Sequence, residues 1–278
     1  MPEPELGYRR GEPGYRRASV ALFTAGVSTF AGLYATQPLL PRLTNDFHIS
    51  PATSTLTLAV STGALALALL PAGWLSDRYG RVRVMTGSLF AAAVLSVLAA
   101  AAPSLDILLA IRGLQGAALA GVPAVGMTYL AEEIHPDSLG ASTGLFVGGN
   151  AIGGLAGRLI AGALATAGGW RVALGGVAVL SLVCAVLFWR MAPPSRGQNA
   201  TATGPRDLLR AIAVHLHDPG QLRLDALGAL LMGTFIATYN ALAFRLQAPP
   251  YQLSDAAIGA VFLVYPLGSA GAAFAGRI

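Results

Sequence analysis

Two arginines, Arg112 and Arg158, lie inside long apolar runs of this 278-residue chain. A guanidinium surrounded by hydrocarbon must be met by hydrogen-bond acceptors or a counter-anion, so each position is a candidate binding site rather than an ordinary packing position. Gln115 shares a helical face with Arg112, while Asn150, Gly154 and Arg158 recur every four residues on another face. Tyr34 and Gln37, in the first apolar run, add a phenol and an amide. Side chains of these types can hold a polar or anionic small molecule, or relay a proton, within a membrane. They offer no bond-breaking chemistry. His48, His135, His215 and His217 have no metal-ligand spacing and no nucleophile stands beside a base, so neither a metal, a cofactor nor an enzymatic activity is expected.

The apolar runs must position these groups. The chain is 54% hydrophobic and 11% charged, far from the roughly 25% charge of globular domains. Ile49 to Ser76 and Val84 to Leu105 contain no charged residue, and about 20 residues suffice to cross ~30 Å of hydrocarbon. Charge gaps predict an all-α bundle of eight transmembrane spans at about 18–41, 54–76, 84–101, 107–131, 139–167, 171–190, 224–245 and 255–276. Residues 1–17 read as a disordered cytoplasmic tail and 18–192 as a six-helix half. Residues 193–223 read as a cytoplasmic linker, with Leu208, Ile212 and Leu216 on one edge of a short surface helix, and 224–278 as the start of a second half. The first run is followed by more of its kind, so it reads as a span rather than a cleaved signal.

Every basic residue is arginine, and the arginines cluster in the tail, the linker and the short hairpins. Only Arg42, Arg171 and Arg245 fall at the opposite ends of the spans. This asymmetry predicts a cytoplasmic N-terminus, with the lipid bilayer rather than nucleic acid as the partner of the +5 charge. Cys184 stands alone in an apolar run, a small hydrophobe. Arg112 lies roughly 9 Å inside its span, where it could either snorkel to the interface or order a polar network facing a central cavity. Arg158 lies roughly 18 Å deep, near the midplane, which favours a substrate or coupling role over bonds to neighbouring carbonyls alone.

Between the second and third spans stands GWLSDRYGRVR, Gly73 to Arg83, a tight basic hairpin in which Gly73 and Gly80 are expected to turn the chain. This pattern resembles the cytoplasmic signature of the major facilitator superfamily. IRGLQGAALAG (Ile111 to Gly121) resembles that family's fourth-helix signature, with Arg112, Gln115 and Gly116 in place. GGNAIGGLAGR (Gly148 to Arg158) resembles its fifth-helix antiporter signature, except that Asn150 stands where that signature has proline. YATQPLLP (Tyr34 to Pro41) is similar to a feature of the drug-efflux branch; Pro38 and Pro41 could loosen the outer end of the first helix or simply stop it. The closest overall resemblance is to bacterial drug and sugar efflux permeases, including the arabinose-efflux-like ones.

FAGLY (30–34) lines up with FIATY (235–239), and LPAGWL (70–75) with AFAGRI (273–278), the weak internal symmetry of two related halves. The resemblance thus implies a complete first half and one third of a second, eight of twelve helices. The function it implies is secondary active transport, proton-coupled efflux of a small molecule by alternating access; a truncated, inactive remnant is the alternative. The span interiors hold two arginines and no Asp or Glu, so an anionic or neutral polar substrate is expected, with the proton as coupling ion. Gly73, Asp77, Arg78, Gly80, Arg81, Glu132 and Glu133 are expected to gate the cytoplasmic face, an arginine pairing with Glu132 or Glu133. Asp77, set among the arginines, reads as a partnered anion, while the resemblance implies that it is left under-satisfied because the helix it would meet is missing. The stripe Gly149, Gly153, Gly157 of the fifth span is expected to pack on Gly268, Ala272 and Gly276 of the eighth.

Overall fold

The structure is a computed structural model that describes residues 7–195, 213–214 and 216–264. Helix α1 (Pro13–Tyr34) passes through a 3₁₀ turn at Gln37–Leu39 into α2 (Leu40–Phe47). There follow α3 (Pro51–Tyr79), α4 (Arg81–Ala100), α5 (Leu105–Leu119), α6 (Gly121–Glu133), α7 (Pro136–Met191), α8 (Pro219–Gln247) and α9 (Asp255–Val261), which runs into a 3₁₀ turn at Phe262–Val264. Proline opens α1, α3, α7 and α8, where its missing N–H is no loss. Ser50, Ser104, Asp218 and Ser254 accept first-turn N–H groups as caps.

Six stretches are long and apolar enough to cross a membrane. The 56 residues of α7 would reach ~84 Å as a straight helix, more than twice the hydrocarbon thickness. Gly169, at φ 82°, breaks it into two arms, a backbone state that a Cβ disfavours. The described residues therefore hold seven spans and the short apolar helix that begins the expected eighth. The chain is a multi-pass membrane protein.

Several expectations need correction. Helix α3 continues to Tyr79, so Gly73 lies within a helix with open space beside it, and the hairpin reduces to Gly80 at φ 95°. Pro38 and Pro41 do not stop the first span; the 3₁₀ turn tightens it and helix resumes to Phe47. The N-terminal segment is not a free tail from residue 7 onward. Tyr8 bridges Ile134, with Tyr8 N–H donating to the Glu133 carbonyl at 2.7 Å, and Arg10 N–H donates to Ser138 Oγ. Arg17 donates to the carbonyls of Arg190 and Met191. The α6–α7 junction and the end of the first half are so tied to its start. Most of the linker helix, including Leu208 and Ile212, lies outside the described residues.

Large apolar side chains face outward, among them Leu67, Leu114, Val179 and Leu230, as lipid allows. Two buried clusters hold the bundle. One, at the arginine-hairpin end, gathers Leu22, Met85, Val125, Tyr129, Phe146 and Phe188; the other gathers Leu39, Leu43, Leu108, Trp170 and Leu174 at the opposite end. Among the described residues the glycine stripe of α7 packs on α1. A Cβ on Gly149, Gly153 or Gly157 would strike the backbone of Phe23, Val27 or Ala31, so this face is spent on α1. Helix α7 reaches α9 through Gly162, whose added Cβ would lie 3.2 Å from Gly259 Cα. Gly268, Ala272 and Gly276 lie outside the described residues.

Candidate functional site

Arg158 is 2% exposed and sits where three spans converge. Its Nε donates to Gln37 Oε1 at 2.7 Å and its Nη1 to the Gly154 carbonyl at 2.8 Å. The guanidinium lies 4.2 Å from the ring centroid of Tyr34 and 4.5 Å from that of Phe262, within cation–π range. Gln37 passes the chain on, donating from Nε2 to Asn240 Oδ1 at 2.7 Å. Helix α7 carries the charge, the 3₁₀ turn carries the amide, and α8 and the turn after α9 supply the partners. Pro38, which has no N–H to give to a helix, lies within this turn, and the amide of Gln37 meets Arg158 from it.

The internal repeat is visible here. Phe30 and Tyr34 pair at 6.1 Å, and Phe235 and Tyr239 pair at 4.8 Å, so both copies present an aromatic couple. Tyr239 stacks on Phe262, which covers Arg158. The second member of the other sequence match, 273–278, lies outside the described residues.

Arg112 is equally buried but held differently. Nε donates to the Thr57 carbonyl (3.1 Å), Nη1 to the Gly32 carbonyl (2.9 Å) and Gln115 Oε1 (2.5 Å), and Nη2 to the Leu33 carbonyl (2.7 Å). Gln115 Nε2 donates to Ser96 Oγ, and Ser61 Oγ donates to the Arg112 carbonyl. This network joins α1, α3, α4 and α5. Arg112 does not snorkel; its acceptors are mostly main-chain carbonyls, which cannot rearrange without moving a helix. Asn150 does not join the Arg158 cluster, since its Oδ1 lies against Gly26 of α1.

At the hairpin end, Arg81 grips Glu132 with both Nε and Nη2 at 2.6 Å, a bidentate pair. The expected arginine–glutamate contact is present. Arg81 Nη1 also reaches Asp77 Oδ1 at 3.0 Å and Ser76 Oγ at 3.2 Å. Asp77 is thus satisfied rather than short of partners, because the turn at Gly80 folds Arg81 back over the last turn of α3. Arg78 points outward onto the rings of Trp74 and Tyr79. Glu132 and Glu133 end α6 rather than standing in a loop, and Glu133 is buried.

The sequence profile of the Major Facilitator Superfamily matches residues 22–278. The chain belongs to the major facilitator superfamily. It is 41% identical over 267 residues to the inner membrane transport protein YnfM of Escherichia coli, covering 96% of this chain and 64% of that protein. It is 40% identical over 270 residues to an uncharacterized MFS-type transporter, YybF, of Bacillus subtilis, covering 97% of this chain and 67% of that protein. An MFS antiporter of Candida albicans, QDR3, is 28% identical over 194 residues, 68% of this chain and 28% of the antiporter. The chain therefore spans about two thirds of the length of its bacterial relatives.

In this major facilitator chain the structure joins Tyr34, Gln37 and Arg158 in one cluster, and Arg112 with Gln115 in another. Asn240 and Phe262 escaped sequence reasoning. The signal for Asn240 was a lone amide in an apolar span, directly after the repeated FIATY; Phe262 carries no sequence signal beyond its aromatic ring.

Proposed function

We propose that this chain acts in secondary active transport, exporting a small anionic or neutral polar molecule in exchange for protons as its two related halves rock about a central site. The observation that carries this reading is the buried chain Arg158–Gln37–Asn240. It links Arg158, which this reading puts near the midplane of the first half, through one amide to Asn240 of α8, which it assigns to the second half. Side-chain partners of this kind can be exchanged for a ligand, whereas the carbonyl clasp of Arg112 cannot. Positive charge in the span interiors, without Asp or Glu, favours a substrate that is not a cation.

The orientation in this proposal puts the arginine hairpin in the cytoplasm and the molecule in the cell inner membrane, in line with the arginine asymmetry and with the printed name of the Escherichia coli relative. Arg81, Glu132 and Asp77 then form the inner gate. The name of the Candida antiporter supports exchange, although Asn150 replaces the proline of the antiporter signature.

The test is transport in proteoliposomes with an imposed pH gradient and a trapped pH-sensitive dye, across a panel of small carboxylates, phosphates and neutral polar solutes. A substrate-dependent proton flux is expected, reduced more per folded molecule by Arg158→Lys than by Arg112→Lys, since lysine lacks the planar fork. No flux with any solute, or equal rates for Arg158→Lys and wild type, would remove the basis of the reading.

A further inference from the structure

The end of the bundle opposite the arginine hairpin is closed by contacts that the central cluster does not use. Arg42 of α2 forms an ion pair from Nε to Asp255 Oδ2 at 3.3 Å, and its Nη1 donates to the Ala165 carbonyl of α7. The Ala256 N–H donates to Thr166 Oγ1 at 3.1 Å. Beneath them a Cβ on Gly259 would come within 2.9 Å of the Arg158 carbonyl, so α7 and α9 lie backbone to backbone. Helix α2 and the first arm of α7 belong to the first half, and α9 to the second. The ion pair and the Ala256 bond thus hold one half shut against the other.

The two charges are unequally buried. The Asp255 side chain is 6% exposed and that of Arg42 33%. A carboxylate at that depth is tolerated as an anion only while a cation faces it. Asp46, also on α2, sets a second negative charge against it. From α7 the neighbours Gly162 and Thr166 carry no charge, and Arg158 is directed at Gln37 and Gly154. On α8, Arg245 is turned to the Pro249 carbonyl and the Tyr251 ring.

We infer that Asp255 is a protonation site and that its protonation unlatches this end of the molecule. A neutral Asp255 releases Arg42, which keeps the Ala165 carbonyl of its own half and reaches water. A bond between halves becomes a bond within one. Glu133, also a buried carboxylate among the described residues, sits at the far end beside Tyr8 and within the first half, so its titration does not part the halves. The inference rests on the alternating-access reading above, and it supplies the coupling carboxylate that the span interiors lack.

The experiment places spin labels on Asn45→Cys of α2 and Ala260→Cys of α9, both exposed, in a Cys184→Ser background in lipid nanodiscs. Inter-label distances are read at about pH 8 and at about pH 4, the lower value close to that of an ordinary aspartate. Acid should raise the long-distance population at least roughly threefold in the otherwise native protein. Asp255→Asn should show that population at both pH values, Arg42→Gln should lose the pH response, and Asp255→Glu should keep it. A pH response that survives unchanged in Asp255→Asn, or a short distance at both pH values in that variant, overturns the latch. The distance needs no substrate. A pH-silent distance therefore sinks the latch and leaves export standing, whereas an unlatching protein that moves no protons with any solute sinks proton-coupled export and leaves the latch.

Discussion

Replacing Arg112 with lysine keeps the charge and removes the geometry. The guanidinium makes four hydrogen bonds from three nitrogens, to carbonyls of Gly32, Leu33 and Thr57 and to Gln115. A lysine ammonium has one nitrogen and three N–H groups, and it cannot span carbonyls on α1 and α3 together while still holding Gln115. One or two of the four bonds are lost on this count. Interhelical hydrogen bonds in membranes contribute roughly 0.6–2 kcal/mol each, so Arg112→Lys should cost about 1–4 kcal/mol. In detergent-solubilised protein this corresponds to a fall in unfolding midpoint of roughly 3–12 °C, at about 3 °C per kcal/mol for a chain of this size. Arg158→Lys should fall by less, since the lysine can still reach Gln37 or Gly154. An Arg112→Lys midpoint within about 1 °C of wild type, read by thermal scanning of tryptophan fluorescence, would falsify the view that Arg112 clasps the helices.

Other outcomes follow from the same contacts. Gly153→Ala should destabilise by about 1–3 kcal/mol because its Cβ strikes the Val27 backbone, whereas Gly148→Ala, with open space beside it, should be near neutral in the same thermal scan. Glu132→Gln loses the charged half of the fork with Arg81, whose partners are 11% and 21% exposed; about 1–3 kcal/mol is expected. Raising salt should also cost wild type more stability than the variant, since screening acts on the intact pair. Gln37→Leu removes both bonds of the central chain and should lower transport per folded molecule more than Asn240→Ala, which leaves Arg158 bound to Gln37; equal losses in the liposome assay would place the function on Asn240 instead.

The spans were legible because lipid imposes a rule on composition. Runs such as Ile49 to Ser76 carry no charge, and the ends of the described helices fall within a few residues of the charges and prolines that bound them. The contact between Arg81 and Glu132 was also within reach, since short loops at one end of a bundle must share their charges. The partner of the α7 glycine stripe was not. Spacing shows that a face is flat enough for close approach, but any helix can take it, and among the described residues α1 does. A partner for Asp77 among the arginines was legible, but which one was not: Gly80 at φ 95° aims Arg81 back at it, and sequence does not show the direction in which a hairpin folds.

From composition and periodicity alone follow the membrane, the helical runs that the described residues hold and the two interior charges, because hydrocarbon tolerates few charged residues and each one stands out. What each charge does was decided in three dimensions. Arg112 and Arg158 look alike in sequence, yet one meets carbonyls of helices that cannot yield and the other meets an amide shared with the second half. Arg42 and Asp255 lie more than 200 positions apart and at the edges of their spans, where charges are ordinary. Only the packing of α2 and α7 against α9 buries that carboxylate against its guanidinium, since burial is a property of neighbours and not of sequence position.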